Sequence, residues 1–179
     1  MKLYLARHTQ TNYNLEQRLN SDPSVSVTLN KTGTMQAKEL AKKLAAKKFD
    51  IIFTSELTRT QQTADYINKF HHVPVVIDKS LNENMSGFEG QLIETYLAAL
   101  NKSSDKWREK LNNGESLEEA RNRTEDFLTD LRATDYHAVL VITHGYIVES
   151  TYGIIHKLAQ EESAQFQCAQ GDFVVFDYE

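Results

Sequence analysis

Short apolar runs of about four to eight residues alternate along this chain with longer stretches of helical periodicity, and that alternation restricts the fold more than any other feature. Parallel neighbours in a sheet must be joined by a crossover, and a helix makes one compactly. The pattern predicts βαβ units, hence an α/β three-layer sandwich with a mostly parallel central sheet and helices on both faces. Candidate strands are Lys2 to Ala6, Asp50 to Phe53, Val73 to Ile77 and His137 to Thr143. Two further runs, Ala164 to Ala169 and Phe173 to Tyr178, flank Gln170-Gly171-Asp172 and read as a C-terminal β-hairpin. Candidate helices cover Lys31 to Lys48, Leu57 to Phe70, Leu92 to Leu111, Ser116 to Ala133 and Tyr146 to Leu158. Ser116 followed by Glu119 is a capping box, with Gly114 just ahead of it.

Nothing divides the 179 residues, which show no internal repeat, low-complexity tract or linker, so one domain over 1–179 is expected. Asn12 to Asn30 is the longest segment without clear periodicity; it follows His8 and reads as a wall of whatever site His8 belongs to. Residues 91–113 are a candidate cap over that site, and Trp107 within them reads as a packing residue.

The net charge of −5 and the absence of a basic run argue against a nucleic-acid partner. A small phosphate remains compatible, because a few converging cations set a local field that the total charge does not. Cys168 is alone, which excludes an intramolecular disulfide and a thiolate zinc cluster and fits a reducing compartment. Met1-Lys2-Leu3-Tyr4 opens on a strand, and no apolar run approaches the ~18 residues of a membrane span. The expectation is a soluble cytoplasmic protein without a membrane partner; the oligomeric state is left open.

Two strand candidates run straight into a histidine, Leu3-Tyr4-Leu5-Ala6-Arg7-His8 and Val139-Leu140-Val141-Ile142-Thr143-His144-Gly145. In an open α/β sheet the residues beyond the carboxyl ends of the strands line the ligand crevice. Collecting those residues gives Arg7-His8, Ser55 to Arg59, Glu83 and His144-Gly145. Two histidines, two arginines and a carboxylate suit phosphoryl transfer through a covalent histidine, since neutral imidazole can attack phosphorus while arginines hold the phosphate oxygens. A guanidinium about 4 Å from one phosphate charge gains roughly 4 kcal/mol at an effective dielectric near 20. The same cations depress the pKa of a histidine between them and keep it nucleophilic. Glu83 is the candidate for protonating the leaving oxygen and then activating water. His71-His72, His137 and His156 lack metal-ligand spacing and read as surface or packing residues, and Glu115 reads as leading into a capped helix.

Leu5-Ala6-Arg7-His8-Thr9-Gln10-Thr11-Asn12-Tyr13-Asn14 resembles the N-terminal signature of the histidine phosphatase superfamily, also called the phosphoglycerate mutase-like family. Further elements follow in order: Leu29, Gly33, Gln36 and Ala37; Ser55, Leu57, Arg59, Thr63 and Ala64; Leu81, Glu83, Gly87, Glu89 and Gly90; Gly114-Glu115-Ser116; and Thr143-His144-Gly145. The resemblance implies a three-layer α/β fold and a phosphohistidine mechanism with neither metal nor cofactor. It makes His8 the nucleophile, Glu83 the proton donor, and Arg7, Arg59 and His144 the phosphate pocket, with Thr11 and Asn14 helping to line it. It implies a metal-independent phosphomonoesterase acting on small phosphorylated metabolites. The alternatives are a cofactor-dependent phosphoglycerate mutase, against which the short chain argues, and a non-catalytic phosphate-ligand-binding relative. Two departures bear on the site. Thr9 stands where the family has glycine, and a β-branched residue tolerates positive φ poorly. The acid loop, Glu83 to Gly90, is one residue shorter than the common form and carries Phe88 where tryptophan is usual.

Overall fold

The strand that best explains the fold is β4 (Ala138–Thr143), whose residues Val139 to Thr143 are all buried. A strand covered on both faces reads as a continuous apolar run, and this one sits at the centre of the sheet. The computed structural model, which describes residues 1–179, contains β1 (Lys2–Arg7), β2 (Ile51–Thr54), β3 (Val75–Ile77), β4 and β5 (Phe173–Asp177) in the spatial order β3-β2-β4-β1-β5. All pairings are parallel except that of β5, which runs antiparallel to β1. Four carboxyl ends therefore open on one edge.

The remaining elements are α1 (Asn12–Leu15), α2 (Lys31–Leu44), α3 (Thr58–Asn68), a 3₁₀ turn at Lys79–Leu81, α4 (Ile93–Leu100), α5 (Leu117–Arg132), α6 (Gly145–Ile155) and α7 (Gln160–Ser163). Alternation along the strands sorts the core into two layers. Leu3, Leu5, Val139 and Val141 pack with Phe127, Leu128, Leu131, Ile147 and Val148 of α5 and α6. On the opposite face, Ala6, Leu140 and Ile142 pack with Leu40, Ala41 and Leu44 of α2 and Ala64 and Ile67 of α3. The three-layer sandwich is thus formed as the alternation implies. No helix is long and apolar enough to cross a membrane.

Two expected elements differ. Of the Leu92–Leu111 helix only α4 forms, because short polar side chains beyond it capture the backbone. Ser103 Oγ accepts from Asp105 N–H at 3.1 Å, Asp105 Oδ1 accepts from Trp107 and Arg108 N–H at 3.1 and 3.2 Å, and Asn112 and Asn113 take positive φ. The C-terminal hairpin does not form either. Ala164 to Ala169 makes no strand: β5 occupies the free edge of β1, while Phe166 stacks on Tyr152 of α6 at 3.9 Å. Gly171 N–H donates to Arg7 O at 3.2 Å and Arg7 N–H donates to Asp172 O at 3.1 Å, so the turn belongs to the end of β1.

The first turn of α2 rests against the backbone just after His8. Asn30 caps it, its Oδ1 accepting from Gly33 N–H at 2.8 Å, and a Cβ on Gly33 would lie 1.9 Å from Gln10 O. Gly33→Ala should cost about 1–3 kcal/mol of stability through this overpacking. Urea unfolding measures it, and an unchanged midpoint would contradict the close approach.

Candidate active site

The register of β1 with β4 sets the geometry before any side chain is considered. Arg7 pairs with Thr143, so the next residues, His8 and His144, leave the sheet side by side, with His8 N–H donating to Thr143 O at 2.9 Å. Their ring centroids are 5.2 Å apart. On the other side of β4, Thr54 of β2 pairs with Ile142 and leads into Ser55 and then α3, whose second residue is Arg59. All three converge out of solvent: His8 is 3% exposed, Arg59 4% and His144 0%.

Hydrogen bonds fix the protons on both rings. His8 Nδ1 lies 2.8 Å from Thr9 O, which can only accept, so Nδ1 carries the hydrogen and Nε2 keeps a lone pair. That Nε2 accepts from Arg59 Nε at 3.1 Å. Arg59 Nη2 donates to His144 Nδ1 at 2.9 Å, so the hydrogen of His144 is on Nε2 and donates to Ser55 Oγ at 2.8 Å. Ser55 Oγ also accepts from Leu57 N–H at 3.2 Å and meets Thr60 Oγ1 at 2.9 Å. Burial first, and the Arg59 charge second, holds both imidazoles well below the ordinary histidine range; Arg7 adds to the effect, and the Thr9 bond opposes it at His8.

Two further Arg59 donors go to Asn20, Nη1 to Oδ1 and Nη2 to the backbone O at 2.9 Å. Burial lowers its pKa to about 10 against the opposing charges of Glu83 and Glu89, which leaves it cationic at neutral pH. Arg7 donates from Nη1 to Cys168 O at 3.0 Å, while its buried Nε has no partner. Its guanidinium lies against Gly145, where a Cβ would come within 3.3 Å of Cζ. Neither arginine forms an ion pair with a carboxylate. Arg59 therefore bonds both neutral histidines and the Arg7 charge acts on both, with neither arginine balanced by a paired carboxylate.

The other expected site residues, Glu83, Thr11 and Asn14, make no hydrogen bond to these four side chains. Glu83 is half-buried; its carboxylate accepts from Asn84 N–H at 3.0 Å and lines a cavity of about 360 Å³ with Ser21, Glu56, Lys79, Asn82 and Arg123. Thr11 and Asn14 bond one another rather than the histidines or arginines: Asn14 Oδ1 accepts from Thr11 N–H and Oγ1–H, both at 2.9 Å, and Thr11 caps α1. Thr9 stays outside the positive-φ region, and its side chain is buried against Thr63. A Cβ on Gly171 would lie 3.2 Å from Thr9 Cγ2, so glycine at the later position accommodates threonine at the earlier one.

One participant escaped the sequence reading, and a second, Glu89, entered it only as a member of the acid-loop element. Asn20 lies in the aperiodic Asn12–Asn30 stretch, where only its place after His8 signals a site. Glu89 holds that stretch in position, its carboxylate accepting from Asn20 Nδ2 at 2.9 Å, Ser21 N–H at 2.7 Å and Asp22 N–H at 2.9 Å.

A family model described as the histidine phosphatase superfamily, branch 1, matches residues 3–179. The chain belongs to that superfamily. Phosphoserine phosphatase 1 of Hydrogenobacter thermophilus is 27% identical over 188 residues, covering 100% of this chain and 87% of the relative. A protein named as a probable phosphoglycerate mutase in Proteus mirabilis is 29% identical, covering 81% and 70%. Among solved structures, the α-ribazole phosphatase of Shigella flexneri superposes with a TM-score of 0.88 at 25% identity, covering 99% of this chain and 90% of that one. This member of the superfamily is a phosphoric monoester hydrolase.

The buried histidines make folding sensitive to acid. Below pH about 6.5 the unfolded chain protonates His8 and His144 while the folded chain leaves them neutral, so stability falls as pH drops. Each contributes a slope of up to about 1.4 kcal/mol per pH unit. Urea unfolding from pH 7.5 to 5 should show a shallower acid loss for His8→Gln than for the unaltered protein. Equal slopes would contradict the neutral buried imidazole.

Proposed function

We propose that this superfamily member hydrolyses small phosphate monoesters without metal, through phosphoryl transfer to His8 Nε2. The observation that carries the reading is a histidine whose Nε2 bears a lone pair and meets Arg59, with the Arg7 charge near enough to act on the same ring and neither arginine ion-paired. Arginines without a counter-charge favour a dianionic group between them, and burial strengthens that attraction. A phosphate bound there takes over the Arg59 donors that Asn20 now occupies.

In the first step the P–N bond to His8 Nε2 forms as the ester P–O bond breaks, and Glu83 gives its proton to the departing oxygen. In the second, water attacks phosphorus, Glu83 takes the water's proton, the P–N bond breaks and phosphate leaves. His144 donates to the phosphate through Nδ1 only as an imidazolium, because its Nε2–H is engaged by Ser55. The phosphate charge supplies the compensation that burial otherwise withholds. Gly145 leaves Arg7 room beside this ring.

Relatives named for phosphoserine and α-ribazole phosphate point to small phosphorylated metabolites as the substrate class. The relative named as a phosphoglycerate mutase supplies the second reading, in which the phosphoenzyme persists until the product is rephosphorylated. Supplying 3-phosphoglycerate with a bisphosphate primer separates them: phosphate release should exceed isomerisation, and the reverse would favour the mutase. An aryl phosphate should be turned over in the presence of a chelator, and Arg59→Ala should lose about 10²–10³-fold in kcat, or roughly 3–4 kcal/mol. Turnover that requires added metal, or a kcat unchanged in Arg59→Ala, would overturn the proposal.

A further inference from the structure

Glu83 sits in a loop whose only hydrogen bond to the carboxylate comes from the neighbouring Asn84 N–H. A side chain held so lightly takes its position from its backbone, and the backbone on both sides of Glu83 is tied to one ion pair. Arg123 of α5 donates from Nη1 to Ser80 O at 2.6 Å and from Nη2 to Glu83 O at 3.3 Å. The same guanidinium grips Glu115, with Nη2 at 2.6 Å from Oε1 and Nε at 3.1 Å from Oε2. Glu115 in turn binds the far side of the loop: its Oε1 accepts from Met85 N–H at 2.9 Å, and its own N–H donates to Met85 O at 2.7 Å.

We propose that Glu115 and Arg123 are positioning residues for the proton donor, fixing the acid loop so that the Glu83 carboxyl faces the leaving oxygen. The proposal rests on the reading of Glu83 as general acid. Ion pairs on an open surface contribute little, but this one is bidentate and only 23% and 17% exposed, and both partners also carry backbone bonds to the loop. Gly114 permits the approach, since a Cβ there would lie 2.2 Å from Met85 O and 2.7 Å from Gly87 N. The Gly114-Glu115-Ser116 element therefore does three jobs in sequence: glycine lets the loop in, glutamate holds it, and Ser116 caps the helix that delivers Arg123. Lysine cannot replace the arginine, because three separate acceptors in different directions need the planar fork.

The test compares substrates whose leaving groups differ in their need for a proton. With an alkyl phosphate such as glycerol 2-phosphate, protonation of the leaving oxygen limits the first step; with 2,4-dinitrophenyl phosphate it does not. In a single turnover, where release of the alcohol or phenol reports the first step alone and not the later hydrolysis in which Glu83 is the base, Glu83→Gln should lose about 10²–10⁴-fold in rate on the alkyl ester and little on the dinitrophenyl ester. Glu115→Gln and Arg123→Lys should show the same selectivity at smaller size, about 10–100-fold on the alkyl ester and under about threefold on the other, with KM little changed. Added to Glu83→Gln, neither should cost more than about threefold further, because an absent acid cannot be mispositioned. Glu115→Gln keeps an acceptor for Met85 N–H, so it carries the test if Arg123→Lys unfolds. Equal losses on both esters, or full additivity with Glu83→Gln, would overturn the positioning role while leaving Glu83 in place. A Glu83→Gln variant indifferent to the leaving group would overturn the general-acid reading and the positioning role together.

Discussion

A single buried guanidinium holds the centre of this molecule together. Arg59 donates to His8 Nε2, His144 Nδ1 and both oxygens of Asn20 that face it, while being only 4% exposed. A cation in that environment is costly unless every donor is satisfied. Satisfying it with imidazole acceptors fixes both tautomers, and the fixed tautomers leave the His8 lone pair directed at the guanidinium. The arginine is thus bonded to neutral acceptors and forms no ion pair, so its charge is not balanced by a paired carboxylate.

The rest of the site can be followed outward from that group. Asn20 belongs to a segment that Glu89 fastens through three hydrogen bonds, and Glu89 belongs to the same loop as Glu83. The loop is fastened again, from the far side, by Glu115 and Arg123. Glu89 therefore ties the loop to the segment that carries Asn20, Glu115 ties it to the start of α5, and the proposed phosphate pocket and proton donor share a frame. Aromatic contact extends that frame into α4, where the Phe88 and Tyr96 rings lie 5.6 Å apart. Burial, with the nearby charges of Glu83 and Glu115, pushes the Tyr96 phenol up to about 12.

How much of this was legible in the sequence follows from which forces are local. Strands β1 and β4 were readable because their apolar runs end at residues with evident chemistry, and the parallel order follows from the helices between them. The α5 start was readable because Ser116 and Glu119 cap it within three residues of each other. The convergence of His8, Arg59 and His144 was readable because each follows a strand end, and Arg7 closes β1 itself. Ala164 to Ala169 misled because an apolar run does not reveal that β5 already fills the edge it needs. The Leu92–Leu111 segment misled because helical periodicity continues past Asn101 while Ser103 and Asp105 divert the backbone. Asn20, Glu89 and the Glu115–Arg123 pair were illegible as partners because their bonds join residues 39, 69 and 8 positions apart through loop backbone, which carries no periodic signal.

The measurement that bears most directly on this chemistry is the identity of the phosphoenzyme. Turnover of a ³²P-labelled ester should be quenched in denaturant and the label followed in acid and in alkali before peptide mapping. The expected label is stable in alkali, lost in acid, confined to the peptide containing His8 and absent from His8→Ala. An acid-stable label, or one on a different residue, would contradict His8 as the group that receives the phosphoryl.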